Sequence, residues 1–139
     1  MVNKIIENSN SAGITIIKGV SISFILTLIL VFIFSIVLTY TNIAESTIFP
    51  VVLFITAISI LIGSSVSTIK IKKNGIINGG AIGLIYILVL YLISSILSTG
   101  FSLNGNSLII MLAGLIGGML GGIVGVNIKW LINIENYGN

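Results

Sequence analysis

Residues 74–128 read NGIINGGAIGLIYILVLYLISSILSTGFSLNGNSLIIMLAGLIGGMLGGIVGVNI, 55 positions without one charged side chain. A helix crosses the hydrocarbon layer in about 20 residues, so this stretch is too long for one crossing and long enough for two. Turn signals at Ser98-Thr99-Gly100 and Asn104-Gly105-Asn106 divide it, which predicts spans over 76–97 and 107–128. Upstream, residues 19–44 and 46–69 are also uncharged, and each holds one span, over 19–40 and 48–69. All four segments are long enough to cross with a modest tilt. Lipid offers no partner to an unpaired backbone group, and the segments lack the alternation of barrel strands, so they must be helices. The expected fold is all-α: a polytopic membrane protein of four transmembrane helices in a compact antiparallel bundle, with Gly-rich third and fourth helices.

Residues 18–130 then form a single transmembrane domain. Residues 1–17 are expected as a short, frayed polar arm carrying Lys4 and Glu7, and residues 131–139 as a short tail. The first span exceeds the 7–15 apolar residues of a cleavable leader, and no A-x-A-like site follows Tyr40. Ser46 or Thr47 is placed to cap the second helix, with Pro50 in its first turn, where proline is tolerated.

The rest of the composition agrees. Of 139 residues, 56% are hydrophobic and 6% charged, against roughly 25% charged in a soluble domain. There is no Cys, His, Asp or Arg; the charges are six Lys and three Glu. The abundance of Ile, Asn and Lys fits AT-rich codons and so a low-GC bacterium. Net charge +3 raises nucleic acid as a partner, but the aromatic-interleaved basic patch is missing, and the lysines read instead as topology determinants. Lys4 and Lys18 precede the first helix, Lys70, Lys72 and Lys73 fill the second connection, and Lys129 follows the fourth helix. Four crossings put all six on one side, a positive-inside pattern that predicts both termini on the cytoplasmic face of a bacterial inner membrane. Tyr40 and Trp130 suit the interfacial belt. Lys18, Lys70, Lys72, Lys73 and Lys129 form a ring at headgroup level, where each lysine contributes about 1 kcal/mol on an anionic surface; anionic lipids are a candidate partner, and pure orientation signalling is the plainer account.

Glycine spacing predicts where the helices touch. Gly114, Gly117, Gly118, Gly121, Gly122 and Gly125 fall within an arc of about 140° at 3.6 residues per turn, as two interleaved G-x-x-x-G ladders. Gly75, Gly79 and Gly83 open the third helix at the same spacing. Such faces let two backbones approach closely in lipid. Gly19, Ser23 and Thr27, and Thr56, Ser59, Gly63 and Ser67, are weaker versions on the first two helices. The expectation is that the third and fourth helices cross antiparallel, with Gly79 and Gly83 on the Gly117–Gly125 ladder and the ring of Tyr86 filling space at the level of Gly114–Gly118. A Gly-lined translocation path is the functional alternative. Tyr86 shares the glycine face near mid-bilayer, and its hydroxyl wants a partner: a carbonyl or a Ser/Thr of a neighbouring helix, or a solute. A faint repeat accompanies this. Leu61, Gly63, Ile69 and Lys70 recur as Leu120, Gly122, Ile128 and Lys129, and Ser35 as Ser94, as an old duplication of a hairpin would leave.

Catalysis lacks its residues. A triad needs a base, a metal centre needs His, Cys or clustered carboxylates, and Glu7, Glu45 and Glu135 all sit in flanking segments. Ser67 and Lys70 are three apart but have no supporting motif for a nucleophile–base pair, and no phosphate loop is present. No cofactor is expected. Proton- or ion-coupled transport depends on ionisable residues inside the membrane, and the spans have none. These observations favour a non-catalytic membrane protein packing with itself or with another membrane protein; a passive pore or a transporter subunit for a small solute is the alternative.

Two strings carry a family likeness: KKNGIINGGAIGLIY at 72–86 and GGMLGGIVGVNIK at 117–129. With Lys18-Gly19 and Leu38-Thr39-Tyr40-Thr41, they resemble the YrzE-like four-span membrane proteins of low-GC Gram-positive bacteria over about residues 14–130. The resemblance implies the four-span fold and membrane placement, and it implies no activity, since that family has no assigned function. Many of its members carry Arg in the second connection, where this chain has only Lys70, Lys72 and Lys73, which counts against bidentate anion binding by the loop.

Overall fold

The computed structural model describes residues 1–70, 74–97 and 105–137, with side chains for all of these but Asn8 and Asn106. They form four α-helices: α1 Val2–Tyr40, α2 Glu45–Thr68, α3 Gly75–Leu97 and α4 Gly105–Tyr137. Each contains a segment long and apolar enough to cross a membrane. The chain is an all-α, multi-pass membrane protein.

The boundaries differ from expectation in ways that have local causes. Residues 2–17, expected to fray, continue α1 without a break. No proline interrupts them, Ile5, Ile6, Ile14, Ile16 and Ile17 recur at helical spacing, and the Thr15 hydroxyl donates back to Ser11 O at 2.9 Å. At 1.5 Å per residue a 39-residue helix is about 58 Å long, roughly twice the hydrocarbon thickness. α1 therefore projects well beyond one membrane face. α4 also overruns its expected end, continuing to Tyr137, and it takes in Gly105 and Asn106, which had been read as part of a turn. α2 begins at Glu45, with Ala44 as N-cap and no side-chain cap. Ser46 and Thr47 lie inside its first turn, where the Thr47 N–H donates to Ala44 O at 2.9 Å. The earlier start moves Pro50 into the second turn. Its missing N–H leaves the Ser46 carbonyl without a helical donor, and both residues are exposed. Between α2 and α3, Asn74 takes a left-handed backbone conformation, φ 63°, and its carbonyl accepts both the backbone N–H and the side-chain Nδ2 of Asn78 at 3.0 and 3.1 Å. Ser98, Thr99, Gly100 and Asn104, read as turn residues, lie outside the described residues.

Sequential helices are antiparallel, so α1 runs with α3 and α2 with α4. α3–α4 is the most extensive contact, followed by α2–α4 and α1–α2; α1 also meets α3, and α2 meets α3 across the middle. Among the described residues α1 and α4 do not touch. The section is a rhombus whose short diagonal joins α2 and α3, which leaves no open centre. Ile60, Ile82 and Tyr86 are fully buried there, and Ile87 packs with Ile60 and Tyr86. Bulky side chains such as Ile25, Leu28, Phe32, Phe54, Leu88 and Leu112 point outward, where lipid tails replace water as their surroundings.

Candidate functional site

Gly75, Gly79 and Gly83 of α3 and Gly114, Gly117, Gly118, Gly121, Gly122 and Gly125 of α4 are buried, but the two ladders of α4 serve different neighbours. Gly114, Gly118 and Gly122 face α3. A Cβ added at Gly79 would lie 2.8 Å from Gly122 Cα and would run into Gly118 O. One at Gly83 would strike Gly114 O and come within 3.3 Å of Gly118 Cα, and one at Gly75 would meet Gly122 O at 2.5 Å. The second ladder, Gly117, Gly121 and Gly125, faces α2 instead, against Ala57, Leu61 and Ser65. This corrects the expected pairing of Gly79 and Gly83 with the Gly117–Gly125 ladder: they meet Gly114, Gly118 and Gly122 instead. The reason is geometric: an arc of about 140° is wider than one helix covers at close approach, and a rhombus puts two neighbours on it.

The α2 side of that contact is hydroxyl-rich. Ser65 Oγ donates to Leu61 O at 2.8 Å and to Gly121 O at 2.9 Å across the interface. Thr68 Oγ1 lies 2.7 Å from Ser64 O and 3.4 Å from Gly122 O. A glycine has no side chain to shield its carbonyl, so the carbonyls of the α4 ladder are open to these donors. The sequence reading singled out the opposite stripe of α2, whose Gly63 and Ser67 face Ser23 and Gly19 of α1. It missed Ser64, Ser65 and Thr68, although the run Ser64-Ser65-Val66-Ser67-Thr68 is a signal that both faces of α2 are small. On the α1 side, the Ser23 and Ser67 hydroxyls are buried with no polar partner among the described residues.

Tyr86 points away from the α4 glycines. Its ring joins Ile60 and Ile87, and its hydroxyl lies 2.6 Å from Thr27 Oγ1 of α1. Thr27 is also 2.8 Å from Ser23 O, so the short chain Tyr86–Thr27–Ser23 is satisfied wholly inside the protein. The space beside Gly114 that Tyr86 was expected to fill is taken by Ile87, whose Cδ1 would collide with any Cβ there.

Among the described lysines, Lys70 and Lys129 meet at one end of the bundle. Lys129 Nζ approaches Lys70 O at 3.5 Å, beside the last turn of α2, where a cation complements the exposed carbonyls. Lys18 and Lys70 are exposed and Lys129 is half-buried; Lys72 and Lys73 lie outside the described residues. Among the described residues no group of His, Cys, Asp or Glu is arranged to hold a metal ion. The arrangement can pack helices and present a basic rim.

No curated protein and no solved structure matches the chain. The family described as "Protein of unknown function (DUF3792)" matches residues 12–125, which takes in all of α2 and α3 and most of α1 and α4. The chain belongs to that family.

Proposed function

We propose that this chain is a non-catalytic protein of the bacterial cytoplasmic membrane, with both termini cytoplasmic, that works by packing with itself or with another membrane protein rather than by passing a solute. One observation carries the choice between packing and conduction: the bundle centre is filled by Ile60, Ile82 and Tyr86, all fully buried, and the mid-depth hydroxyl is satisfied by Thr27. A solute path through a single copy would need those groups to separate. The glycine faces that first suggested self-packing are used within the chain. Support for a partner comes instead from the overrunning ends of α1 and α4, which expose Val2, Ile5 and Ile6 and Leu131, Ile132 and Ile134. Membership of the YrzE-like group of low-GC Gram-positive bacteria rests on the quoted strings and on the Ile-, Asn- and Lys-rich composition.

Purified protein in liposomes should show no flux of small neutral or charged solutes above that of empty vesicles. Reproducible flux that Tyr86→Phe abolishes would replace this reading with the pore.

Orientation rests on the one-sided lysines. Reporter fusions after Asn74 and at the C-terminus should read cytoplasmic, and fusions near Glu45 and Asn104 external. A mixture of both orientations in equal amounts is the outcome that would reject the assignment. For the basic rim, native mass spectrometry should find anionic lipid on the protein and less of it on a Lys70→Gln/Lys72→Gln/Lys73→Gln variant; unchanged lipid retention would leave the lysines as orientation signals alone.

A further inference from the structure

One face of α4 packs against nothing in the bundle. Ile116, Leu120, Ile123, Asn127, Trp130 and Ile134 follow one another at alternating steps of four and three, the 3.5-residue repeat of a coiled-coil seam. All six are exposed. They stand about 170° round the helix from the centre of the Gly114–Gly125 arc. That arc already takes both neighbours of α4, because α1 does not touch α4 among the described residues.

Two features of this stripe suit neither lipid nor water. Asn127 sets a carboxamide among apolar side chains, at the edge of the expected span 107–128, and among the described residues its amide has no hydrogen-bond partner. Beyond Lys129 the helix runs on to Tyr137, about 12 Å further, and the stripe stays apolar there. Trp130, Ile134 and, at the next step, Tyr137 are 66%, 50% and 91% exposed, on a segment that has left the hydrocarbon and meets water. α1 behaves differently. Its outer run Ile14, Lys18, Ser21, Ile25 and Leu28 continues past the membrane as Ser11, Glu7 and Lys4, which water solvates. Its exposed Val2, Ile5 and Ile6 lie on another side of the helix.

One occupant answers both features of α4, namely the same stripe of a second copy. One-sided lysines give every copy the same orientation, so two α4 helices meet in parallel, across a two-fold axis along the membrane normal. Each stripe residue then faces its own counterpart. A carboxamide carries both donor and acceptor, so two Asn127 side chains satisfy each other, as polar side chains do between helices in lipid. In the overhang, Trp130, Ile134 and Tyr137 are covered by the same three residues of the second copy. The lysines do not oppose this approach, because Lys129 is turned about 140° away from the stripe, toward Lys70 O at 3.5 Å.

We propose that the outer stripe of α4 is a parallel homodimer interface, with Asn127 on Asn127 near its middle and the overhangs beyond Lys129 paired on the cytoplasmic side. The proposal rests on the reading of the chain as a packing protein, and it names the partner and the face.

The test uses the full chain in lipid bilayers. The chain has no cysteine, so single cysteines report one position each. Under a mild oxidant, Ile123→Cys and Ile134→Cys should each give covalent dimers, because counterparts meet on the axis. Ile25→Cys and Leu28→Cys, on the outer face of α1 and both 58% exposed, should stay monomeric. Equal dimer yields at the α4 and α1 positions, under conditions that label all four, are the pattern of random collision and would overturn the interface. In the Ile123→Cys background, Ile134→Asp would set two carboxylates against each other and should lower the dimer yield about tenfold. Its thermal unfolding as a monomer in detergent should stay unchanged, since Ile134 packs against no other helix. Asn127→Ala should lower the yield by a smaller factor. An undiminished yield in Ile134→Asp would also overturn the proposal. A monomer in liposomes that pass no solute would reject this interface and leave the packing reading in place, whereas flux abolished by Tyr86→Phe rejects that reading whatever the oligomeric state.

Discussion

Gly118→Ala should destabilise the protein strongly, while Gly117→Ala, one residue earlier on the same helix, should leave it close to wild type or slightly stabilised. Both exchanges remove a helix-disfavouring glycine, which by itself stabilises by about 1 kcal/mol. The difference lies in what the new methyl meets. At Gly118 it would run into Gly79 O and approach Gly83 N at 3.0 Å, both backbone atoms of α3. Backbone cannot swing aside as a side chain can, so α3 and α4 must part along their closest crossing. In lipid the two helices are held by close packing and weak contacts with no hydrophobic drive to compensate. Overpacking of this kind costs about 1–3 kcal/mol in soluble cores, and leucine at the same site should cost more than alanine. At Gly117 the nearest atom is Ala57 O at 3.3 Å, which a shift of a few tenths of an ångström relieves. Thermal unfolding in detergent should rank Gly118→Leu below Gly118→Ala, and Gly118→Ala well below Gly117→Ala and wild type. Gly13→Leu is the control, because nothing lies within 4 Å of a Cβ there. If Gly117→Ala and Gly118→Ala lose equal stability, the division of the two ladders between α2 and α3 is wrong.

The second large effect is expected at Tyr86, where three substitutions separate packing from hydrogen bonding. Tyr86→Ala empties the fully buried centre of the bundle and should cost about 3–5 kcal/mol, as large aromatic truncations do in other cores. Tyr86→Phe keeps the ring and removes one hydroxyl. Thr27 retains its contact with Ser23 O at 2.8 Å, so no buried donor is orphaned, and the loss should be about 0.6 kcal/mol, the average for interhelical hydrogen bonds in membranes. Thr27→Val is the harsher member of the pair. It keeps shape but strands the Tyr86 hydroxyl in an apolar centre, at about 1–3 kcal/mol. Adding Tyr86→Phe to Thr27→Val should then recover stability, because both partners of the bond are gone. A double mutant less stable than Thr27→Val alone would mean that the Tyr86 hydroxyl has another partner.

How far the sequence reaches can be seen at these same residues. The spacing of Gly114, Gly118 and Gly122 and of Gly75, Gly79 and Gly83 is a local property: at 3.6 residues per turn it makes a flat stripe whatever the helix later meets. Close helix contact is the only use of such a stripe that lipid rewards. The wider arc formed with Gly117, Gly121 and Gly125 was equally visible, but one arc is compatible with one broad crossing or with two narrow ones. Tyr86 was legible as a buried hydroxyl in need of a partner. Which hydroxyl answers it depends on whether α1 stands beside α3, and no pattern within α3 carries that information. The helix ends were misread where the expectation equated a helix with its membrane-crossing part. Polar residues stop a segment from entering lipid and do not stop a helix, so α1 and α4 run on past the membrane limits.

By itself, then, the sequence determined the number of crossings, their helical character and the small faces, because hydrocarbon penalises every unpaired backbone group and every charge regardless of the neighbours. The tertiary structure alone decided which small face meets which helix: the Gly114–Gly118–Gly122 ladder on α3, the Gly117–Gly121–Gly125 ladder on α2, and Tyr86 on Thr27. The reason is that lipid is as apolar as the helices it surrounds, so burying a face does not specify its partner; only shape and the few hydroxyl-to-carbonyl bonds across a crossing distinguish one neighbour from another, and these exist only once the backbones are in place.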